Sequence, residues 1–159
     1  MTRKLIALSL AALFVAGFAA AGDKADKAWF DDNCAMCSNM MSDEALMKNM
    51  KWEQYNITAG FVALTMVQKD YLDAYRTAHE GMEKTTMRLQ KGEALELCGS
   101  CTHLGMCMMK GVSQEYVETS SGDVWIVTSD NPEVVADLHA WVERNKEEMA
   151  KSHQGHDHG

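Results

Sequence analysis

Two Cys-x-x-Cys pairs, Cys34-Ala35-Met36-Cys37 and Cys98-Gly99-Ser100-Cys101, recur at an offset of 64 residues. Thiols at this spacing sit on one turn of chain, where they converge on one ion or close one disulfide. The rest of the chain repeats nearly in step. Gly60 and Gly122 follow at an offset of 62, each ahead of a strand-like run and then a helical one. The slip of two residues fits in a loop. The sequence therefore reads as two versions of one unit, about residues 30–92 and 94–150. Each version is a cysteine segment, a β-hairpin and a helix.

The second unit is the clearer. Glu115 to Ser120 and Asp123 to Ser129 read as two strands around Ser121-Gly122, a short turn signal. Along the return strand Val124, Ile126 and Thr128 share one face, with Trp125 and Val127 on the other. Asp130 or Asn131 can then cap a helix, Pro132 fits its first turn, and Glu133 stands three residues after Asp130. Val134, Val135, Leu138, Trp141 and Val142 follow at helical spacing.

The first unit repeats the pattern. Trp52–Ala59 and Phe61–Val67 read as strands, and Lys69 to about Lys91 as a helix ending near Gly92. Leu72, Tyr75, Ala78, Met82 and Leu89 form its apolar stripe. The expectation is an α+β domain: a four-stranded antiparallel sheet with helices packed on one face.

The N-terminus sets the compartment. Arg3 and Lys4 precede an uncharged apolar run from Leu5 to Ala21 that closes on Ala19-Ala20-Ala21 and gives way to Asp23 and Lys24. This is the pattern of a cleaved export signal, residues 1–21, which places the mature protein in the periplasm or outside the cell with no membrane span. Residues 22–150 suit one domain with one core. Without Arg3 and Lys4 the chain sets 13 basic side chains against 23 acidic ones. That balance repels nucleic acid and anionic lipid and is compatible with cations as ligands.

Three residue types carry chemistry. The first is cysteine: Cys34, Cys37, Cys98 and Cys101, with Cys107 making the count odd. Cys98, Cys101, His103 and Cys107 together offer three thiols and one imidazole, a donor set that suits zinc or copper. A local Cys101–Cys107 disulfide is the competing use. The second is methionine. Met40 and Met41 follow the first pair and Met108 the second, within a larger group of thioethers near the cysteines. Thioether sulfur favours Cu(I), and it needs no reductant outside the cytoplasm. Core packing is the other use of such residues. The third is histidine. His153, His156 and His158 lie in a Gly-rich tail, residues 151–159, expected to be disordered and able to chelate a divalent ion weakly.

These features point to binding rather than turnover. No Ser-His-Asp order, phosphate loop or His-Glu-x-x-His motif is present. The leading expectation is an exported soft-metal protein that captures, buffers or transfers metal, with Cu(I) favoured over zinc. Its partners would be metal ions and another metal-handling or redox protein of the envelope. In composition its cysteine pairs, methionines and His-containing ending resemble envelope copper-handling proteins. Two other functions compete. One is a secreted interaction domain stapled by disulfides. The other is a thiol–disulfide redox protein, although a thioredoxin-like cis-proline is missing, since Pro132 stands in a capping sequence.

Overall fold

The computed structural model describes residues 27–154. The proposed export signal and the last five residues lie outside them. Two short helices, α1 (Ser38–Met41) and α2 (Glu44–Lys48), lead into β1 (Met50–Ile57) and β2 (Gly60–Val67). A 3-10 turn at Lys69–Tyr71 opens α3 (Leu72–Gln90). Then come α4 (Gly99–Met109), β3 (Ser113–Thr119), β4 (Gly122–Thr128) and α5 (Pro132–Gln154). The fold is α+β, with one antiparallel sheet in the order β1-β2-β4-β3. No helix among the described residues is long and apolar enough to cross a membrane.

The sheet is built with internal two-fold symmetry. Moving the first hairpin's register along by 62 residues reproduces the second, so that Ile57↔Gly60 becomes Thr119↔Gly122. Between the hairpins, β2 pairs with β4 around Ala63↔Trp125. The flanking backbone bonds match as well: Val67 N donates to Ser121 O at 2.7 Å, and Ser129 N to Ala59 O at 2.9 Å. Each hairpin turns through two residues, Thr58-Ala59 and Ser120-Ser121, and the glycines open the returning strands. Gly60 (φ 154°) and Gly122 (φ 138°) hold backbone angles that side chains rarely permit. A Cβ at Gly60 would stand 1.9 Å from Val127 O, and one at Gly122 would stand 2.1 Å from Thr65 O.

The helices cross over. α3 leaves the first hairpin and lies on the second, with Tyr75 bonded to Asp123 and His79 to Tyr116. α5 leaves the second hairpin and lies on the first. His139 Nε2 meets Ile57 O at 3.0 Å and Gly60 O at 2.9 Å, and Glu143 accepts from Asn56 at 3.0 Å. Each half therefore completes the other, since each helix makes these side-chain bonds to the hairpin of the opposite half.

Periodicity explains which residues face inward. Phe61, Ala63, Thr65 and Val67 alternate on the buried face of β2, and Asp123 and Val127 on that of β4. The main core joins Phe61 and Val127 to Val134, Leu138, Trp141 and Val142 of α5 and to Trp29. Each such side chain contributes about 1.5–3 kcal/mol by leaving water. A second cluster gathers Leu46, Val67, Tyr75 and Ala78. The opposite face carries Tyr55, Ile57, Met66 and Val117 into solvent.

Local details depart from expectation in three places. Of the two expected caps Asn131 is the one used for α5, and because its Oδ1 accepts from Glu133 N at 3.0 Å, the capping box that the Asp130-to-Glu133 spacing suggests is not formed. Thr85 joins Tyr75 and Ala78 as a buried residue of α3, while Met82 is only half-buried. Finally, α5 runs on to Gln154, into the segment expected to be disordered.

Candidate metal centre

The first cysteine pair lies on a tight turn ahead of α1. Cys34 N donates to Asp31 O at 3.0 Å, and Ser38 N to Cys34 O at 2.9 Å, which folds the loop back on itself. Asn39 fastens this loop to α3. Its Nδ2 donates to Ala35 O at 2.8 Å, to Met36 O at 3.1 Å and to Thr85 Oγ1 at 3.3 Å. Gly81 makes room for it: a Cβ there would stand 2.4 Å from Asn39 Oδ1.

The second pair opens α4. Cys98 is the residue capping that helix, and its sulfur accepts from Cys101 N at 3.5 Å. The helix N-terminus, with its unpaired N–H groups, favours a thiolate there. A buried polar network anchors this turn to the core. Asn145, fully buried on α5, accepts from Trp29 Nε1 at 2.7 Å and from Ser100 Oγ at 3.0 Å, and donates to Gln54 Oε1 at 3.0 Å. Trp141 Nε1 donates to Ser100 Oγ at 2.9 Å. Gly99 is small because Trp29 packs on it, with ring carbon Cε3 3.1 Å from where a Cβ would stand.

Backbone bonds then tie the two turns together. Ala35 N donates to Glu96 O at 2.8 Å, and Gly99 N to Ala28 O at 3.0 Å. The four sulfurs of Cys34, Cys37, Cys98 and Cys101 consequently all lie within 4.8 Å of one another. Cys37 Sγ is 3.6 Å from Cys98 Sγ and 3.5 Å from Cys101 Sγ. A tetrahedron with metal–sulfur bonds near 2.3 Å has edges of about 3.8 Å. A disulfide would need roughly 2.05 Å. All five cysteines are free thiols. The arrangement can hold a metal ion, and two of its sulfurs, those of Cys34 and Cys98, are buried while the other two are partly open.

Proton sharing dominates the electrostatics of the group. Hydrogen bonding from Cys101 holds the Cys34 thiol far below its ordinary range and brings Cys98 down to about 7. Cys101, bonded to Cys34, is pushed far above that range. Thiols this close cannot all ionise together. A soft cation replaces the shared protons and lets every sulfur carry charge.

The other candidate residues are placed elsewhere. Cys107 is buried in the main core, and burial pushes its thiol up. His103 Nε2 lies 3.2 Å from Asp137 O, with its ring edge-on to Trp29. Met40 packs on the Leu46 cluster, Met108 packs on the main core, and Met41 is half-buried at the end of α1. His153 falls in the last turn of α5, and His156 and His158 lie outside the described residues. Among the described residues, no other group of three or more His, Cys, Asp or Glu donors converges in this way.

The positioning residues Asn39, Thr85, Ser100 and Asn145 were not singled out in the sequence. Asn145 had a usable signal, since it continues the apolar stripe of Leu138 and Trp141 at helical spacing. No protein-family model, no curated protein and no solved structure matches this chain.

Proposed function

We propose that this is an exported metal-binding protein holding one soft ion in a tetrahedral site of four thiolates, Cys34, Cys37, Cys98 and Cys101. The observation that carries the reading is the 3.5 Å and 3.6 Å approach of Cys37 to the sulfurs of a segment more than sixty residues away. Zn2+ suits such a donor set best, because it imposes no geometry of its own and is held closed by four thiolates. The partly open Cys37 and Cys101 give an incoming ligand a path to the ion, which supports capture and release rather than a purely structural role.

Cu(I) is the second reading, and the exposed thioethers of Met47, Met106 and Met109 support it. They offer soft surface ligands that, unlike thiols, are not lost to disulfide formation. Export rests on the pattern of residues 3–21, and it implies that metal, or a reducing partner of the envelope, protects the thiols. The matching registers of the two hairpins support descent of the two halves from one duplicated unit.

Metal titration of the reduced protein tests the proposal. Co2+ should enter at one equivalent per chain with the intense thiolate-to-metal absorption of a tetrahedral four-sulfur site, and Zn2+ should displace it. Competition with a Cu(I) chelator then ranks copper against zinc. Absence of stoichiometric binding by Co2+, Zn2+ and Cu(I) alike overturns the proposal.

A further inference from the structure

The four clustered sulfurs are not equivalent. Cys34 and Cys98 are only 1% and 2% exposed, while Cys37 and Cys101 are partly open. A molecule arriving from solvent therefore meets Cys37 or Cys101 first. These two belong to opposite turns, and their sulfurs lie 3.5 Å apart. A disulfide bond is about 2.05 Å long, so each sulfur needs to move by only about 0.7 Å to form one. That bond would join the two turns and take two of four donors away from an ion.

The support beneath the sulfurs is bonded independently of them. Ala35 N donates to Glu96 O and Gly99 N to Ala28 O, which ties turn to turn. Asn39 fastens the first turn to Thr85 of α3, and Asn145 of α5 holds the second through Ser100. No sulfur takes part in these bonds. They keep the turns in register whether the sulfurs face a metal ion or one another, which is the condition for a reversible exchange. Cys107, the remaining thiol, is buried in the main core and apart from the cluster.

We propose that the cluster gives up its ion by reducing a disulfide, with Cys37 and Cys101 as the exchanging pair; the inference rests on the four-thiolate site proposed for the ion. The substrate class is a small disulfide carried in solvent. The Cys37 thiolate attacks one sulfur of that disulfide, whose S–S bond breaks and expels a first thiolate. The Cys101 thiolate then attacks the Cys37 sulfur, and the mixed bond breaks to expel a second. The two protein sulfurs lose two electrons, the incoming disulfide gains them, and no proton is needed. Zn2+ leaves with its charge unchanged. Only Cys34 and Cys98 remain as thiolates where a closed zinc site takes four, so affinity should fall by more than about a thousandfold. A reducing partner reverses the exchange and restores the site.

Treatment of the reduced, Zn2+-loaded full-length protein with one equivalent of dithiobis(nitrobenzoate) tests this. The probe is a small disulfide whose thiolate product is coloured. The expected result is two coloured thiolates per probe consumed, one Zn2+ per chain passed to a chromogenic chelator, and a Cys37–Cys101 link in proteolytic mass mapping. Phosphine reduction should restore uptake of one Zn2+. Cys107→Ala should give the same counts. Cys34→Ser removes the partner of Cys37 within its own turn and should still yield the Cys37–Cys101 link. Failure of the reduced protein to take up Zn2+ at the outset would count against zinc in the site itself and overturn the inference with it. Zn2+ that is bound but retained, one coloured thiolate per probe with a lasting adduct, or links confined to Cys34–Cys37 and Cys98–Cys101 would overturn the inference alone.

Discussion

Cys37 and Cys98 are 61 residues apart in sequence and 3.6 Å apart at their sulfurs. Between them run a whole hairpin and the long helix α3, and the chain returns to its starting point because α3 packs on the far hairpin while Asn39 holds the first turn to it. The four-sulfur cluster is thus a product of the crossover. Neither Cys-x-x-Cys turn could close a four-sulfur site by itself, and the same helix exchange that completes the core brings the turns together.

The first consequence concerns metal and stability together. An ion held by four thiolates binds the folded chain and not the unfolded one, so it raises stability by mass action. Zn2+ at about a hundred times its Kd should add roughly 2.7 kcal/mol. Thermal denaturation of reduced protein should show a clear upward shift of Tm with one equivalent of Zn2+, reversed by a strong chelator. Cys37→Ser should abolish most of the shift. An unchanged Tm in the presence of bound metal would place the metal outside the four-sulfur site.

Cys107 and His103 provide the contrast. Cys107 packs among Phe61, Val127 and Trp141, and His103 sits at Asp137 O, so neither belongs to the group of converging donors. Cys107→Ala should cost about 1–2 kcal/mol through lost packing. It should leave metal stoichiometry at one per chain. His103→Ala should likewise leave the cobalt spectrum unaltered. Loss of the spectrum in either variant places that residue among the ligands.

The sequence was legible where short-range patterns govern. Alternation in Asp123–Ser129 and helical spacing in Val134–Val142 located a strand and a helix, and the Cys-x-x-Cys spacing showed that the cysteines act in pairs while leaving open whether the two pairs meet. What escaped was long-range. Pairing of β2 with β4 around Ala63 and Trp125, and the exchange of helices between hairpins, depend on which surfaces bury each other, and no local period encodes that. Individual thioethers were illegible for a related reason. Met40 and Met108 sit next to cysteines in sequence but point to apolar clusters, and adjacency along a chain does not fix the direction of a side chain. Gly60 and Gly122 were visible as turn signals, but their role in letting two strands approach became visible only with the carbonyls opposite them.

Asn145 links the cysteine cluster to the core. It is fully buried and bonded to Trp29, Ser100 and Gln54, so its removal leaves several buried polar groups unpaired. Asn145→Ala should destabilise the protein by about 3 kcal/mol or more. It should also weaken metal binding, because Ser100 lies between Cys98 and Cys101 and loses the acceptor of its hydroxyl, keeping only the bonds to Trp141 and Trp29. Denaturant unfolding of the metal-free protein and a cobalt titration measure the two effects separately. A stability loss with metal affinity unchanged would show that the cysteine turn holds its shape without the network.

The last prediction tests the two-fold symmetry of the sheet through its energetics. Gly60 faces Val127 O and Gly122 faces Thr65 O, and these two approaches exchange under the same 62-residue shift that relates the hairpins. Gly60→Ala and Gly122→Ala each force a Cβ against a backbone carbonyl that is fixed in the β2–β4 ladder, at a φ that alanine resists. Relief requires the two central strands to part, which disrupts the junction between the halves. Each variant should therefore lose about 3 kcal/mol or more, and the two losses should agree within roughly 1 kcal/mol. Combining them should cost less than the sum, since one parting of β2 from β4 relieves both contacts. Chemical denaturation of the two single variants and the double variant checks this. Strictly additive losses would mean that the two ends of the ladder yield independently.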